Sequence, residues 1–139
     1  MEIPLIHSHG VGNKKLIELA QGAADGVVLP IGKLTVVDQI PDEDPQKQVL
    51  QEYVNQYLAK YKTMPVSFGG YAADAFNLAV NAIAKAGPDR EAIRDELEET
   101  TGFVGVSGVF NITPEDHNGL NADSMVLVEI RNGKWQLLQ

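Results

Sequence analysis

The residues whose types and spacing best suit chemistry are His7-Ser8-His9-Gly10-Val11-Gly12-Asn13. The short β-branched run Ile3–Ile6 precedes them and the amphipathic stretch Lys14–Gln21 follows. That places the segment where a strand turns into a helix, the usual ligand position in open α/β sheets. Amides of Gly10, Gly12 and Asn13 at such a turn can point at a carboxylate or phosphate, with the helix dipole assisting. A plain glycine turn accounts for the same spacing. A dinucleotide fingerprint is matched only in its first two glycines, and the later acidic residue is missing. His7 and His9 lie two apart, so in a strand they would face the same way and offer two metal ligands. The remaining histidine, His117, belongs to a distant polar loop, and paired turn histidines are more often ordinary polar residues.

A second candidate is Phe68-Gly69-Gly70-Tyr71, two rings around a flexible pair just before a helix. Such rings can line an apolar pocket, although packing in the core is the commoner fate of Phe and Tyr. No nucleophile is set up for catalysis: Gly105-Val106-Ser107-Gly108-Val109 lacks the elbow spacing, and no His-Glu-x-x-His occurs. Ser107 reads as a small residue in a tight sheet. Asp95, Glu96, Glu98 and Glu99 read as the solvated side of a helix. The sequence therefore points away from an enzyme and calls for no cofactor and no metal.

The elements that must position these residues are set by composition and pattern. The chain has 139 residues, enough for one domain with a real core. With 44% hydrophobic and 22% charged residues it belongs to the globular class. A net charge of −8 argues against nucleic acid, and the only basic doublet is Lys14-Lys15. The absence of cysteine removes disulfides, thiolate catalysis and cysteine-ligated metals together. Apolar runs such as Gly26–Ile31 and Met125–Val128 are far shorter than the ~20 residues a membrane helix needs. Met1-Glu2-Ile3-Pro4 shows none of the three parts of a signal peptide.

Ile3–Ile6, Lys14–Gln21 and Ala24–Leu29 make a strand–helix–strand unit, with Gly22 stopping the helix and Pro30 and Gly32 breaking the second strand. Leu34–Ile40 reads as extended. Pro41-Asp42-Glu43-Asp44-Pro45 reads as a stiff, fully solvated linker. Val49, Leu50, Tyr53, Val54, Tyr57 and Leu58 advance by three and four, so Gln46–Tyr61 is a helix with one buried stripe. Gly70–Ala86 is an Ala-rich helix suited to close packing, stopped by Gly87-Pro88, and Asp89–Thr100 is a third helix. Phe103–Phe110 reads as a Gly-rich strand and Thr113–Asn121 as a polar loop. Asn132-Gly133 between alternating runs marks a C-terminal β-hairpin. The expected class is α/β, parallel-sheet strand–helix units plus that hairpin.

Several stretches together resemble one family. They are Pro4-Leu5-Ile6-His7, Gly10-Val11-Gly12-Asn13, Ala23-Ala24-Asp25-Gly26-Val27, Tyr71-Ala72-Ala73-Asp74-Ala75, Gly105-Val106-Ser107-Gly108 and Val128–Trp135. The chain is similar to the substrate-binding proteins of branched-chain amino-acid ABC transporters, type I periplasmic binding proteins of the leucine-binding type. The resemblance runs over essentially the whole chain but covers only the C-terminal part of the family's longer chains. It implies an incomplete form of a two-lobe fold that traps its ligand between the lobes. Residues 1–40 would end the second lobe, 41–45 would cross over, 46–122 would belong to the first lobe and 123–139 would return to the second. It also implies a non-catalytic, periplasmic or extracytoplasmic parent that docks on a transporter permease, with its signal peptide outside this chain.

Amino-acid-binding members resemble one another in a Glu just before the Gly-x-Gly, which pairs with the ligand's ammonium. This sequence has His9 there. A charge-assisted hydrogen bond contributes roughly 1.5–3 kcal/mol, about 10- to 150-fold in affinity. The resemblance therefore implies a small amino acid or organic carboxylate as ligand, and His9 favours a carboxylate without an α-ammonium. The expected contacts are His9 and the Gly10, Gly12 and Asn13 amides, with Ser8, Phe68 and Tyr71 beside them. A rival expectation is a self-associating α/β domain, a swapped homo-oligomer joined through the Val49–Leu58 stripe and the Gly70–Ala86 helix, because uncovered sheet edges and helix faces invite association.

Overall fold

The computed structural model describes residues 5–138. Ile3 and Pro4, expected at the start of the first strand, lie outside them. The mixed α/β expectation is met. Strand β1 (Leu5–Ile6) runs parallel to β2 (Val27–Gly32), with helix α1 (Lys14–Ala20) between them in sequence. Beyond β2 the sheet is antiparallel: β5 (Met125–Arg131) pairs with β2, and β6 (Lys134–Leu137) pairs with β5, giving the order β1-β2-β5-β6. The helices α2 (Lys47–Tyr61), α3 (Ser67–Ala86) and α4 (Arg90–Glu98) lie between β2 and β5 in the chain, followed by a small hairpin of β3 (Phe103–Val104) and β4 (Val109–Phe110).

Period-two alternation puts Val27, Leu29 and Ile31 of β2 on the same face as Val128 and Ile130 of β5, and all five are buried. Leu16, Ile17 and Ala20 of α1 close over that face, while Leu19 points outward at 83% exposure. A second cluster holds Leu34, Val37, Leu50, Val54 and Val106. The α2 stripe read from the sequence is thus inside this second core. The segment Lys33–Gln39 joins the clusters, giving Val36 to the first and Leu34 and Val37 to the second.

Several local expectations need correction. Leu34–Ile40 is not extended: Lys33–Gln39 forms two short 3₁₀ turns that meet at a kink on Val36 (φ −124°, ψ 30°). Turning lets successive apolar residues reach two cores, which a strand's two faces could not do here. The buried Lys47 amine secures its end by donating to the Val37 and Ile40 carbonyls at 2.8 and 2.7 Å. The acidic pentapeptide is not fully solvated, since Asp44 accepts from the Lys33 ammonium at 2.7 Å, with both side chains largely enclosed. The Asp44 carboxylate also accepts the Gln46 amide at 2.9 Å. The first helix stops one residue before Gly22, at Gln21, which itself takes φ of 50°. Pro30 does not break β2. It falls beyond the last β1 pairing, Ile6 with Val28, where the ladder on that side has ended.

The α3 and α4 bounds shift slightly. Helix α3 begins at Ser67, and α4 spans Arg90–Glu98 with the Asp89 carboxylate accepting the Ala92 amide. Phe103–Phe110 is two two-residue strands around a turn, because the Gly105 amide donates across it to the Gly108 carbonyl at 2.8 Å. The C-terminal hairpin is as expected. Asn132 and Gly133 take φ of 51° and 68°, the left-handed pair a two-residue turn requires. The Asp25 carboxylate accepts both of their amides at 3.1 Å.

Candidate functional site

His9 opens a 3₁₀ turn, His9–Val11, immediately after β1. Because it has left the strand, the two-residue alternation no longer aligns it with His7, whose amide still donates to the Val28 carbonyl of β2. Among the described residues no group of three or more His, Cys, Asp or Glu is placed to hold a metal ion. The His9 ring instead reaches α3. Its Nε2 lies 3.1 Å from Tyr71 Oη in a hydrogen bond whose direction depends on the imidazole tautomer. Among the described residues this is the one hydrogen bond joining the sheet half (5–32 and 125–138) directly to the helical half (46–121).

Behind this pair lies a cleft of about 450 Å³ between the two halves. Gly32, Ser124 and Met125 line the sheet side. Ala75, Leu78, Phe110 and Leu120 supply most of the apolar wall opposite, with Asp74 and Ser107 at its base. Phe68 stands edge-on to Tyr71, ring centroids 6.1 Å apart, but is 80% exposed and is not among the lining residues.

The glycine turn divides by role. The Gly12 amide donates to the His9 carbonyl at 2.9 Å and the Asn13 amide to the Val11 carbonyl at 2.8 Å, so both donors are occupied inside the turn. A side chain on Gly12 would place its Cβ 2.8 Å from Ile31 Cγ2. The glycine there serves close packing of the turn on β2. Asn13 caps α1, its side chain accepting the Lys15 amide at 2.9 Å. Ser8 and Gly10 are exposed and do not line the cleft. Of the seven residues read as binding candidates, the structure brings His9 and Tyr71 together at the cleft, with Phe68 beside them.

Asp74 is the cleft residue that residue-by-residue reading passed over. It is 3% exposed. Its carboxylate accepts the Val106 amide at 2.8 Å, the Ser107 amide at 2.7 Å and the Ser107 hydroxyl. Buried Gln46 completes the clamp, donating to the Gly105 carbonyl at 3.0 Å and the Val106 carbonyl at 3.3 Å. A Cβ on Gly105 would lie 2.7 Å from the Asp74 carboxylate, so only glycine admits this approach. The sequence did carry a signal: an acidic residue among alanines in Tyr71–Ala75, and a Gly-x-Ser-Gly far downstream. Nothing in the spacing says that they meet.

A two-part α/β body with a cleft lined by side chains from both parts is a build suited to holding a small ligand. The periplasmic binding protein family model matches residues 2–134, and the chain belongs to that family. No curated protein sequence matches the chain. Among solved structures, an extracellular ligand-binding receptor from Rhodopseudomonas palustris HaA2 is 28% identical with a TM-score of 0.85, over 99% of this chain and 41% of its own. Rp1789 of Rhodopseudomonas palustris CGA009 is 26% identical with a TM-score of 0.85, over 99% and 41%. A leucine-binding protein from Thermotoga maritima is 25% identical with a TM-score of 0.75, over 96% and 36%. The chain thus spans about two fifths of the length of the solved proteins it resembles.

Proposed function

We propose that the protein containing this chain is an extracytoplasmic solute-binding protein that delivers a small carboxylate with an apolar body, lacking an α-ammonium, to an ABC importer, and that it is not an enzyme. The observation that carries this reading is the state of the cleft's polar groups. Among the described residues Asp74 is the one carboxylate lining the cleft, and three donors from Val106 and Ser107 already engage it. An ammonium entering the cleft would compete for an occupied acceptor, whereas His9 and Tyr71 in its lining can each donate a hydrogen bond. The wall of Leu78, Phe110, Leu120 and Met125 suits an aromatic or branched aliphatic body. The lobe assignment inferred from the family, with the crossover at 41–45, belongs to the same proposal. It is supported by the two separate cores meeting at Lys33–Gln39. Calorimetric titration of the chain with benzoate, isovalerate and leucine tests the ligand class. Both acids should bind more tightly than leucine, and tighter leucine binding would refute it.

A second reading, self-association of this chain, is favoured by the open face of α3. Phe76, Val80 and Ile83 fall on one stripe and are 68%, 43% and 48% exposed. The α2 stripe expected to share this role is unavailable, because Leu50 and Val54 are buried at 0% and 8% exposure. Phe76→Glu should therefore lower the mass of any oligomer in sedimentation experiments without unfolding the chain. An oligomer of unchanged mass in this variant refutes the reading.

A further inference from the structure

We propose that the cleft captures its carboxylate together with one proton: the ligand replaces the hydrogen bond between His9 and Tyr71, His9 takes up a proton from solvent, and both side chains then donate to the ligand. This rests on the carboxylate reading above and adds to it the protonation state in which the ligand is held. The geometry begins with two side chains lining the cleft whose polar atoms, His9 Nε2 and Tyr71 Oη, are 3.1 Å apart. While they bond each other, one must accept, so the pair offers at most one proton outward. A neutral imidazole can hold its proton on Nδ1 and accept from the tyrosine at Nε2.

A carboxylate is acceptor-only. It therefore gains most when both groups become donors, which breaks the internal bond and places a proton on Nε2; a change of tautomer achieves that in a neutral ring, whereas uptake of a proton also sets a positive charge against the anion. The cheapest complete arrangement is an imidazolium and a phenol hydroxyl flanking one anion. Charge then balances within the pair, because the ligand's negative charge meets the positive charge it has drawn from solvent.

The other titratable groups facing His9 do not supply that charge. On α3, Asp74 sits one helical turn beyond Tyr71 and is occupied by Val106 and Ser107. Just after β1, His7 is exposed two residues earlier. Next to the lining residue Gly32, the Lys33 ammonium is held by Asp44 at 2.7 Å. Among the described residues, no cation other than a protonated His9 lines the cleft.

The linkage has a definite sign. An anion bound beside His9 raises the ring's proton affinity relative to the empty cleft. The extra binding is complete at pH values where the empty-state ring is already protonated, and it is lost as pH rises through the bound-state titration. Imidazole changes charge between about pH 5 and 8, and a carboxylate probe stays ionised there.

The test is an NMR titration of the chain with benzoate at pH 5.5, 6.5 and 7.5, following the His9 Cε1–H resonance, with benzamide as the uncharged probe of the same shape. Saturating benzoate at pH 7.5 should move the resonance to the imidazolium position. Benzoate affinity should fall about five- to tenfold from pH 5.5 to 7.5, while benzamide affinity stays constant. In His9→Gln, which retains His7 and His117, that slope should vanish. Benzoate that binds with the same affinity at all three pH values, and leaves His9 neutral, overturns proton capture but leaves the carboxylate reading standing. Failure of benzoate to bind at its solubility limit overturns both.

Discussion

Replacing Asp74 by alanine should be among the most damaging single changes available to this protein. The side chain is buried and accepts from Val106 N, Ser107 N and Ser107 Oγ, so its removal leaves two backbone amides and a hydroxyl without their partner at the edge of the second core. Each buried donor left without a partner costs ~1–3 kcal/mol. Ser107 is only part-buried, so water recovers some of its share, and the sum is ~3–5 kcal/mol. For a chain of 139 residues the unfolding entropy translates each kcal/mol into about 3–4 °C. The expected fall in melting temperature is therefore about 9–20 °C. Asp74→Asn keeps the volume and one acceptor oxygen but turns an NH₂ group toward a donor, and should cost roughly half as much. Asp38, exposed and outside both cores, is the control, and its alanine variant should stay within ~0.5 kcal/mol of the parent. Thermal denaturation followed by circular dichroism reads all three. An Asp74→Ala protein melting within ~3 °C of the parent would show that the carboxylate is not the clamp described.

Two further outcomes follow from the same geometry. Gly12→Ala must push its new methyl into Ile31 and toward the His9 carbonyl, 2.8 and 3.1 Å from the ideal Cβ. It should destabilise the chain by ~1–3 kcal/mol and weaken benzoate binding by displacing His9, both measurable by calorimetry. The Tyr53 phenol is raised above its ordinary value of 10.0, first by burial and then by the neighbouring Tyr57, Asp74 and Tyr61. The native state thus holds this proton longer than the unfolded chain, so stability declines as pH climbs through 10.0. Tyr53→Phe should flatten that part of an alkaline melting profile, and an unchanged profile would count against the assignment.

Much of the fold was legible because its signals are local. The three-and-four spacing from Val49 to Leu58 specifies α2, and Asn132-Gly133 specifies the final turn. The misreadings have one common cause, a long-range partner that overrides a local pattern. Thr35, Val36 and Val37 look like a strand, yet two cores and the Lys47 amine fold the segment into short 3₁₀ turns kinked at Val36. Phe103–Phe110 looks continuous, yet Asp74 fixes its middle as a turn. The site was legible in pieces. His9 and Tyr71 each stood out for different reasons, but a separation of 62 residues hides that they touch. The amides of Gly12 and Asn13 looked free because sequence does not show a turn satisfying its own donors.

The central claim, that this cleft belongs to a binder of carboxylates without an α-ammonium, is most directly tested by native mass spectrometry of the gently purified chain, before and after addition of millimolar benzoate. The account predicts one organic acid per chain, either carried through purification or taken up on addition. A retained α-amino acid, or a chain that stays unliganded in benzoate, would contradict it.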